Sequence, residues 1–246
     1  MMTSQSAIRI ALLLPDVLGT YADRGNATVL AQRARLRGIP AEVFHVSAET
    51  AAPTSCDVYV MGGGEDAAQA YAVQWLVSQP ALLTTMQTAQ VLAVCAGMQV
   101  LGAWMQDRNG QRVAGADILD LTTSAAGRRA VGEVVADCTD RDIQTLTGFE
   151  NHRGHTRLGT SATPLSRIRC GTGNGDGTDG VLTASVVGTY LHGPVLARNP
   201  TLADLLLRRA SGQTLPALDV PDEDAARSLH LRRASRRRSR PALRRP

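Results

Sequence analysis

Cys95 lies between a strand-like run and a helix-like run. In "VLAVCAGMQVLGAWM", the apolar residues 91–94 lead directly to Cys95, and Gly97 follows at the start of a segment long enough for a helix. A thiolate is a good nucleophile, and the N-terminus of a helix favours that form. The pattern therefore predicts either a nucleophile on a sharp strand-to-helix turn or a buried structural cysteine. Locally the two interpretations stand equal, because Ala93 replaces the first glycine of a G-x-C-x-G elbow.

Two further segments place suitable groups after predicted strands. His192 in "GTYLHGP" ends an apolar run and is predicted on an exposed turn, where it could serve as the base that a thiol nucleophile needs. Three consecutive glycines, residues 62–64, follow another strand and would let the backbone approach a ligand. The N–H of Gly63 or Gly64, with that of Ala96, would then form an oxyanion hole. The alternative is a plain flexible turn.

The remaining histidines and cysteines predict no metal site. His152 and His155 have H-x-x-H spacing, which suggests a metal, but no third ligand is evident. No CxxC pair is present, so zinc is not expected. The simplest interpretation is a reduced, cytoplasmic protein with three structural cysteines: Cys56, Cys138 and Cys170.

The elements that must position these groups alternate between strand and helix. This alternation predicts an α/β fold, with a mostly parallel sheet flanked by helices. Ligands bind such sheets at the carboxyl ends of the strands, where the cysteine, the histidine and the glycines all fall. "GMQVLGAWMQD" is predicted to be the helix after Cys95. Beyond residue 110 the pattern changes to strands joined by loops, predicted as antiparallel additions on one edge. A loop rich in glycine and aspartate occupies residues 171–180.

Charge divides the 246-residue chain into two parts. All 26 basic residues are arginines, and nine of them fall in the last twenty residues, which contain no acidic residue. Without that segment 17 arginines face 22 acidic residues, so the body gives no reason to expect nucleic acid. We predict a domain over residues 1–221 and a disordered tail over 222–246, with binding of RNA or anionic lipid as the alternative role of the tail. No apolar run reaches the ~18 residues needed to span a membrane.

Together the motifs resemble class I glutamine amidotransferases. Cys95, Gly97 and Gln99 match the C-x-G-x-Q elbow of that family, and "YVMGGGED" resembles its oxyanion strand. "GTYLHGP" resembles the histidine segment of the cobyric-acid-synthase-like branch. Three segments are similar to the glutaminase subunits of lipid II isoglutaminyl synthases: "YADRGNATVLAQRARLRGI", "GFENHRGHTRLG" and "GNGDG". The resemblance runs from about residue 10 to residue 210 and implies a flavodoxin-like fold.

The resemblance implies a role for each matching residue. Cys95 would attack the side-chain amide of L-glutamine and form a thioester, with His192 as general base and then general acid. Arg129 and Gln99 would bind the substrate, the arginine by pairing with the α-carboxylate. Arg128, its neighbour, is the alternative ligand.

The resemblance also implies partners. The ammonia would pass to a Mur-ligase-like synthetase subunit in a heterodimer. That subunit would carry ATP and Mg²⁺ and amidate the D-glutamate of lipid II in peptidoglycan synthesis, so this chain would need no cofactor of its own. The expected location is the bacterial cytoplasm, near the inner face of the membrane. The alternatives are amidation of cobyrinate or another cofactor, and a non-catalytic scaffold subunit with the same fold.

One position departs from the pattern. Most class I enzymes carry a glutamate two residues after the histidine, where this chain has Pro194. A histidine with no orienting carboxylate is a weaker base. We therefore expect a Cys–His dyad with no obvious orienting carboxylate, which the partner could lend, and Glu65 and Glu150 are the candidates within the chain.

Overall fold

The computed structural model of the protein describes residues 6–21, 23–107 and 109–238. Its first sheet contains β1 (Ile8–Leu13), β2 (Ala41–Val46), β3 (Val58–Met61), β4 (Gln90–Val94), β11 (Val181–Leu182) and β12 (Val186–Thr189). The strand order is β11-β12-β4-β3-β1-β2, and all neighbours are parallel except β11 and β12. The central strands are buried along their length, which explains their continuous apolar sequences. The predicted α/β fold is confirmed.

Helices flank this sheet. They are α1 (Gly25–Arg35), α2 (Asp66–Val77), α3 (Pro80–Met86), α4 (Ala96–Val100), α5 (Val195–Arg198), α6 (Pro200–Ser211) and α7 (Pro221–Arg238). Pro80 begins α3, as expected for a residue that favours the first turn of a helix. Within the described ranges, none of these helices is both long and apolar enough to cross a membrane.

The later strands form a second sheet. It contains β5 (Gly102–Gln106), β6 (Arg112–Ala114), β7 (Leu119–Cys138), β8 (Leu146–Leu158), β9 (Ser166–Cys170) and β10 (Thr178–Asp179). The order is β10-β9-β7-β5-β6, and β8 also pairs with β7. All pairs in this sheet are antiparallel except β5 and β7. Most of the strands after residue 110 thus form a sheet of their own instead of lying on the edge of the first one. Among the described residues, β11 is the antiparallel addition on the edge of the first sheet.

The helix predicted after Cys95 is shorter than expected. It ends at Val100, and Gly102 begins β5 instead. A Cβ atom on Gly102 would lie 2.4 Å from Cδ1 of Leu121, so a glycine allows the chain to run this close to β7. A tertiary contact therefore overrides the helical pattern of residues 97–107.

The domain boundary predicted at residue 221 falls at the start of a helix. Helix α7 covers Pro221–Arg238, and residues 239–246 lie outside the described part. Glu223 pairs with the buried Arg33 of α1, which also binds Asp204 of α6 at 2.8 Å. The Arg227 side chain is buried and donates hydrogen bonds to the carbonyl oxygens of Thr145 and Arg198. Specific contacts of α7, which composition does not reveal, hold it against the domain.

We expect Glu223→Gln to destabilise the protein. The variant leaves Arg33 with one carboxylate partner instead of two, and Glu223 is itself only partly exposed. The free energy of unfolding should fall by about 1 kcal/mol, as for other charge-assisted hydrogen bonds near a surface. Asp222→Asn is the matched control, because the neighbouring Asp222 is exposed. Urea unfolding of both variants tests this, and equal stabilities would contradict the role given to α7.

Candidate active site

Three predicted groups meet at one edge of the first sheet. Strands β12, β4 and β3 are adjacent and parallel, so their carboxyl ends lie side by side. His192 follows β12, Cys95 follows β4, and the glycines 62–64 follow β3. A Cβ atom placed on Gly63 would lie 2.8 Å from Cε1 of His192 and 3.6 Å from Cβ of Cys95. The cysteine and the histidine are therefore close neighbours, as the sequence pattern predicts.

Cys95 has a strained backbone at the strand-to-helix turn. Its φ is +52° and its ψ is −107°, a conformation that residues with side chains rarely adopt. Such strain costs of the order of 1–3 kcal/mol and persists only where surrounding contacts hold it. Two contacts do so here: the Cys95 N–H donates to the Thr189 carbonyl at 2.7 Å, and the Gly97 N–H donates to the Gly62 carbonyl at 3.1 Å. The geometry is that of a nucleophile elbow.

His192 is buried, not exposed as predicted. Its side chain is 1% exposed, and its Nδ1 lies 2.9 Å from Oδ2 of Asp23, which is fully buried. The other ring nitrogen, Nε2, is buried and has no hydrogen-bond partner among the described residues. The ring of Tyr21 covers the imidazole, with 4.9 Å between the ring centroids.

The surroundings of His192 favour its charged form. Burial lowers the pKa of His192, but the hydrogen bond to Asp23 and the charge attraction of Cys95 and Asp23 outweigh burial and raise it to about 10. The imidazole is therefore protonated at neutral pH. An imidazolium is the partner that stabilises a thiolate nucleophile.

Asp23 is the orienting carboxylate that the sequence analysis missed. The expectation of a Cys–His dyad without an orienting carboxylate is wrong, because Asp23 of this chain contacts His192. Pro194 occupies the family's usual position, but a Cβ atom on Gly25 would lie only 2.4 Å from the Pro194 ring. The proline thus packs on the start of α1. The loop before α1 places Asp23 against His192 instead.

Neither substitute carboxylate takes the orienting role. Glu65 is 76% exposed, and its Oε1 lies 3.8 Å from Nη2 of Arg129. Glu150 is buried and accepts hydrogen bonds from the backbone of Thr172 and Gly173. Its Oε2 also lies 3.5 Å from Nε2 of His152. Both acids are paired with other groups.

Gly63 does not present its N–H to the site as expected. That N–H donates to Oδ2 of Asp23 at 2.9 Å, so one carboxylate oxygen holds both Gly63 and His192. The Gly63 carbonyl accepts from the Thr20 N–H at 3.2 Å, which fixes the loop before α1 over the strand end. Gly64 and Ala96 stay the candidates for the oxyanion hole, and Gly64 lines the cavity described next.

A cavity of 410 Å³ opens above Cys95. This volume falls within the ~300–1,000 Å³ typical of small-molecule sites. Arg129 lines the cavity, whereas Arg128 does not. Arg129 donates to Oδ1 of Asn151 at 3.2 Å, and the amide of Asn151 donates to the Tyr21 hydroxyl. A cation with free donors thus lies at the mouth of the cavity, as the resemblance implies for the ligand of a carboxylate.

Gln99 lies in the cavity wall, with its amide already engaged. Its Oε1 accepts from Gln69 at 2.8 Å, and its Nε2 donates to the Tyr190 hydroxyl at 2.9 Å. The Tyr190 ring stacks on His152 at 3.7 Å between centroids. Gln99 is therefore held in a network of polar side chains that lines the cavity.

The H-x-x-H histidines face different surroundings. The His152 ring hydrogen-bonds to the Gly154 carbonyl at 3.1 Å, and His155 packs against the backbone of Gly175. Among the described residues no group of three metal-ligating side chains surrounds them. Away from the cavity, burial raises the pKa of the Cys56 and Cys138 thiols, which keeps them in the unreactive form.

The elbow Cys95, the buried His192 and Asp23 lie together at the carboxyl edge of a parallel sheet, an arrangement typical of enzymes that use a cysteine nucleophile. A family model described as the CobB/CobQ-like glutamine amidotransferase domain matches residues 9–200. The chain belongs to this glutamine amidotransferase family.

Individual relatives narrow the comparison. The chain is 35% identical over 205 residues to the lipid II isoglutaminyl synthase (glutamine-hydrolyzing) subunit GatD of Staphylococcus aureus, covering 80% of this chain and 82% of that protein. It is 32% identical over 209 residues to the Streptococcus pneumoniae subunit of the same name, covering 82% and 80%. A cobyric acid synthase of Sphingopyxis alaskensis is 32% identical over 126 residues, but the match covers only 48% of this chain and 24% of that protein.

The fold itself also has solved counterparts. A glutamine amidotransferase from Thermotoga maritima superposes with a TM-score of 0.53 at 15% identity, covering 95% of this chain and 98% of that one. At this identity the comparison concerns the fold alone.

Proposed function

We propose that this chain is a glutaminase subunit that hydrolyses L-glutamine through a thioester on Cys95 and supplies ammonia to a synthetase partner. One observation carries the proposal: the strained Cys95, His192 and the buried Asp23 converge beneath a cavity of suitable size. Nucleophile, base and orienting acid in this order are the parts that acyl transfer needs.

The first half-reaction forms the thioester. The Cys95 thiolate attacks the side-chain amide carbon, and the carbonyl oxygen gains negative charge in the tetrahedral intermediate. The N–H groups of Gly64 and Ala96 would stabilise that charge. His192, held protonated by Asp23, donates its proton to the amide nitrogen as the C–N bond breaks and ammonia leaves.

The second half-reaction regenerates the enzyme. His192, now neutral, removes a proton from a water molecule, which attacks the thioester carbon. The C–S bond breaks, glutamate leaves, and the sulfur and the imidazole return to their starting states. Asp23 fixes the ring through Nδ1 in both steps, so that Nε2 stays directed towards the reacting atoms.

The extent of the similarity favours lipid II over cobyrinate as the molecule that finally accepts the ammonia. The two isoglutaminyl synthase subunits match across about four fifths of both chains, whereas the cobyric acid synthase match covers a quarter of that protein. We therefore propose a Mur-ligase-like partner that binds ATP and Mg²⁺ and amidates the D-glutamate of lipid II.

The experiment measures glutamate and ammonia formed from L-glutamine by the purified chain, alone and with a Mur-ligase-like synthetase subunit. Because Asp23 completes the site within the chain, we expect glutamate production without the partner. With the partner, ATP and lipid II, free ammonia should fall and amidated lipid II should appear. Absence of glutamate under both conditions would contradict the proposal.

Arg129→Gln should weaken glutamine binding. If the guanidinium pairs with the α-carboxylate, its loss removes a charge-assisted contact of about 1.5–3 kcal/mol, and KM should rise about 10- to 100-fold with little change in kcat. Arg128→Gln is the matched control, because Arg128 does not line the cavity. Steady-state kinetics on glutamine decide between the two arginines. A larger rise in KM for Arg128→Gln would reverse the assignment.

A further inference from the structure

The loop of residues 171–180, rich in glycine and aspartate, lies outside the chemistry described above. Asn174 organises the loop itself: its side chain donates to Thr178 and to the Gly180 carbonyl, and accepts from the Gly180 N–H. Asp176 caps the same loop through the N–H and hydroxyl of Thr178 and is exposed to solvent. These side-chain bonds hold the loop without the carboxylate of Asp179.

Asp179 directs its carboxylate out of the loop instead. Its Oδ2 accepts from the Thr189 hydroxyl at 2.6 Å, and its Oδ1 accepts from the Tyr190 N–H at 3.1 Å. The residue is fully buried. Burial raises the pKa of Asp179 to about 6, although the hydrogen bonds from Thr189 and Tyr190 oppose this. Both carboxylate oxygens thus accept hydrogen bonds inside the protein.

Burying a carboxylate costs several kcal/mol unless its contacts compensate. Here the contacts are to Thr189 and Tyr190, and this segment is connected to both reactive residues. The Thr189 carbonyl receives the Cys95 N–H at 2.7 Å, and Thr189 itself lies three residues before His192. The Thr189 hydroxyl also accepts from the Leu191 N–H at 3.0 Å. An acceptor-only group at Asp179 obliges that hydroxyl to donate, which leaves its lone pairs for Leu191.

We propose that Asp179 is a positioning residue for the thioester chemistry: its carboxylate fixes residues 189 and 190, and through them the spacing of Cys95 and His192. The proposal rests on the glutaminase function above. It explains why an anion is buried behind the site when Asn174 already closes the loop.

An amide at this position cannot reproduce the two bonds. If the asparagine turns its amide nitrogen towards Tyr190, that nitrogen and the Tyr190 N–H are two donors that face each other. If it turns the nitrogen towards Thr189, the proton of the Thr189 hydroxyl has no acceptor. Either arrangement shifts the 189–192 segment. Misplacement of reacting groups by about 1 Å can cost about 100-fold in rate.

The test is steady-state kinetics of Asp179→Asn on L-glutamine, together with the rate at which iodoacetamide alkylates Cys95. We expect kcat to fall about 10- to 100-fold with KM within about two-fold, and the alkylation rate to fall in parallel. Asp176→Asn is the matched control from the same loop and should keep the wild-type kcat. An unchanged kcat in Asp179→Asn, or a raised KM alone, would overturn the proposal.

A second pair of variants covers the case in which Asp179→Asn does not fold, as judged by circular dichroism. Thr189→Val removes the hydroxyl that binds Asp179 at nearly constant volume, and should lower kcat as Asp179→Asn does. Thr189→Ser keeps the hydroxyl and should restore most of the rate. Full activity in Thr189→Val would also overturn the proposal. Failure of the glutaminase function is distinguishable, because the wild-type chain would then release no glutamate.

Discussion

Cys95→Ala is expected to abolish glutamine hydrolysis while leaving the fold intact. The substitution removes the only atom that can form the thioester, so kcat should fall by about 10⁴-fold or more. Only one small buried atom is lost from the core, which limits the change in stability. Glutamate release and urea unfolding measure the two effects separately.

The other cysteines supply the controls for that experiment. Cys138→Ala and Cys170→Ala change partly exposed thiols away from the cavity, and Cys56→Ala changes a buried one. All three should keep most of the glutaminase rate. Full activity in Cys95→Ala would remove the basis of the proposed mechanism.

Asp23→Asn is expected to lower kcat by up to about 10⁴-fold, as for other triads that lose the orienting acid. Oδ2 of Asp23 binds both His192 and Gly63, so an asparagine that places its nitrogen there opposes donors at both contacts. An asparagine that places its oxygen there keeps both contacts but loses the negative charge that favours the protonated form of His192. KM for glutamine should change little, because Asp23 lies beneath the cavity wall. Asp16→Asn, an exposed acid in the same loop, is the control.

The same variant has a predicted pH signature. In the wild type the pKa of His192 is raised by Asp23, so their pairing stabilises the fold below the ordinary histidine pKa of about 6.5. That contribution is lost as the pH rises through the raised value of about 10. The difference in unfolding free energy between wild type and Asp23→Asn should therefore be largest at pH 6 and shrink towards pH 10. A difference that is constant across this range would contradict the ion pair.

The sequence predicted the part of the site that depends on local pattern and on sheet order. Cys95 and Gly97 carry the elbow within three residues, and buried apolar runs before Cys95 and His192 predict parallel strands with a shared carboxyl edge. The adjacency of β12 and β4 then brings the two residues together. The motifs also resemble those of a known family, so the sequence alone predicts a role for each of these residues.

Asp23 could not be found in this way, because its partner lies 169 positions away. An aspartate just before a helical pattern is an ordinary helix-start signal, yet Arg24 is the residue at the N-cap and no side chain caps the helix. The contacts of α7 could not be predicted from local sequence for a related reason. Arginine-rich composition predicts a solvated segment, whereas its attachment depends on the buried Arg33, far away in sequence.

Covalent trapping of Cys95 tests the central claim most directly. The purified chain is treated with a diazo-ketone analogue of glutamine, digested and mapped by mass spectrometry, with and without excess L-glutamine. The account predicts one adduct per chain, located on Cys95, with parallel loss of glutaminase activity and protection by glutamine. A chain that stays unlabelled at Cys95, or that carries the adduct on Cys56, Cys138 or Cys170 while glutamine is still hydrolysed, would contradict it.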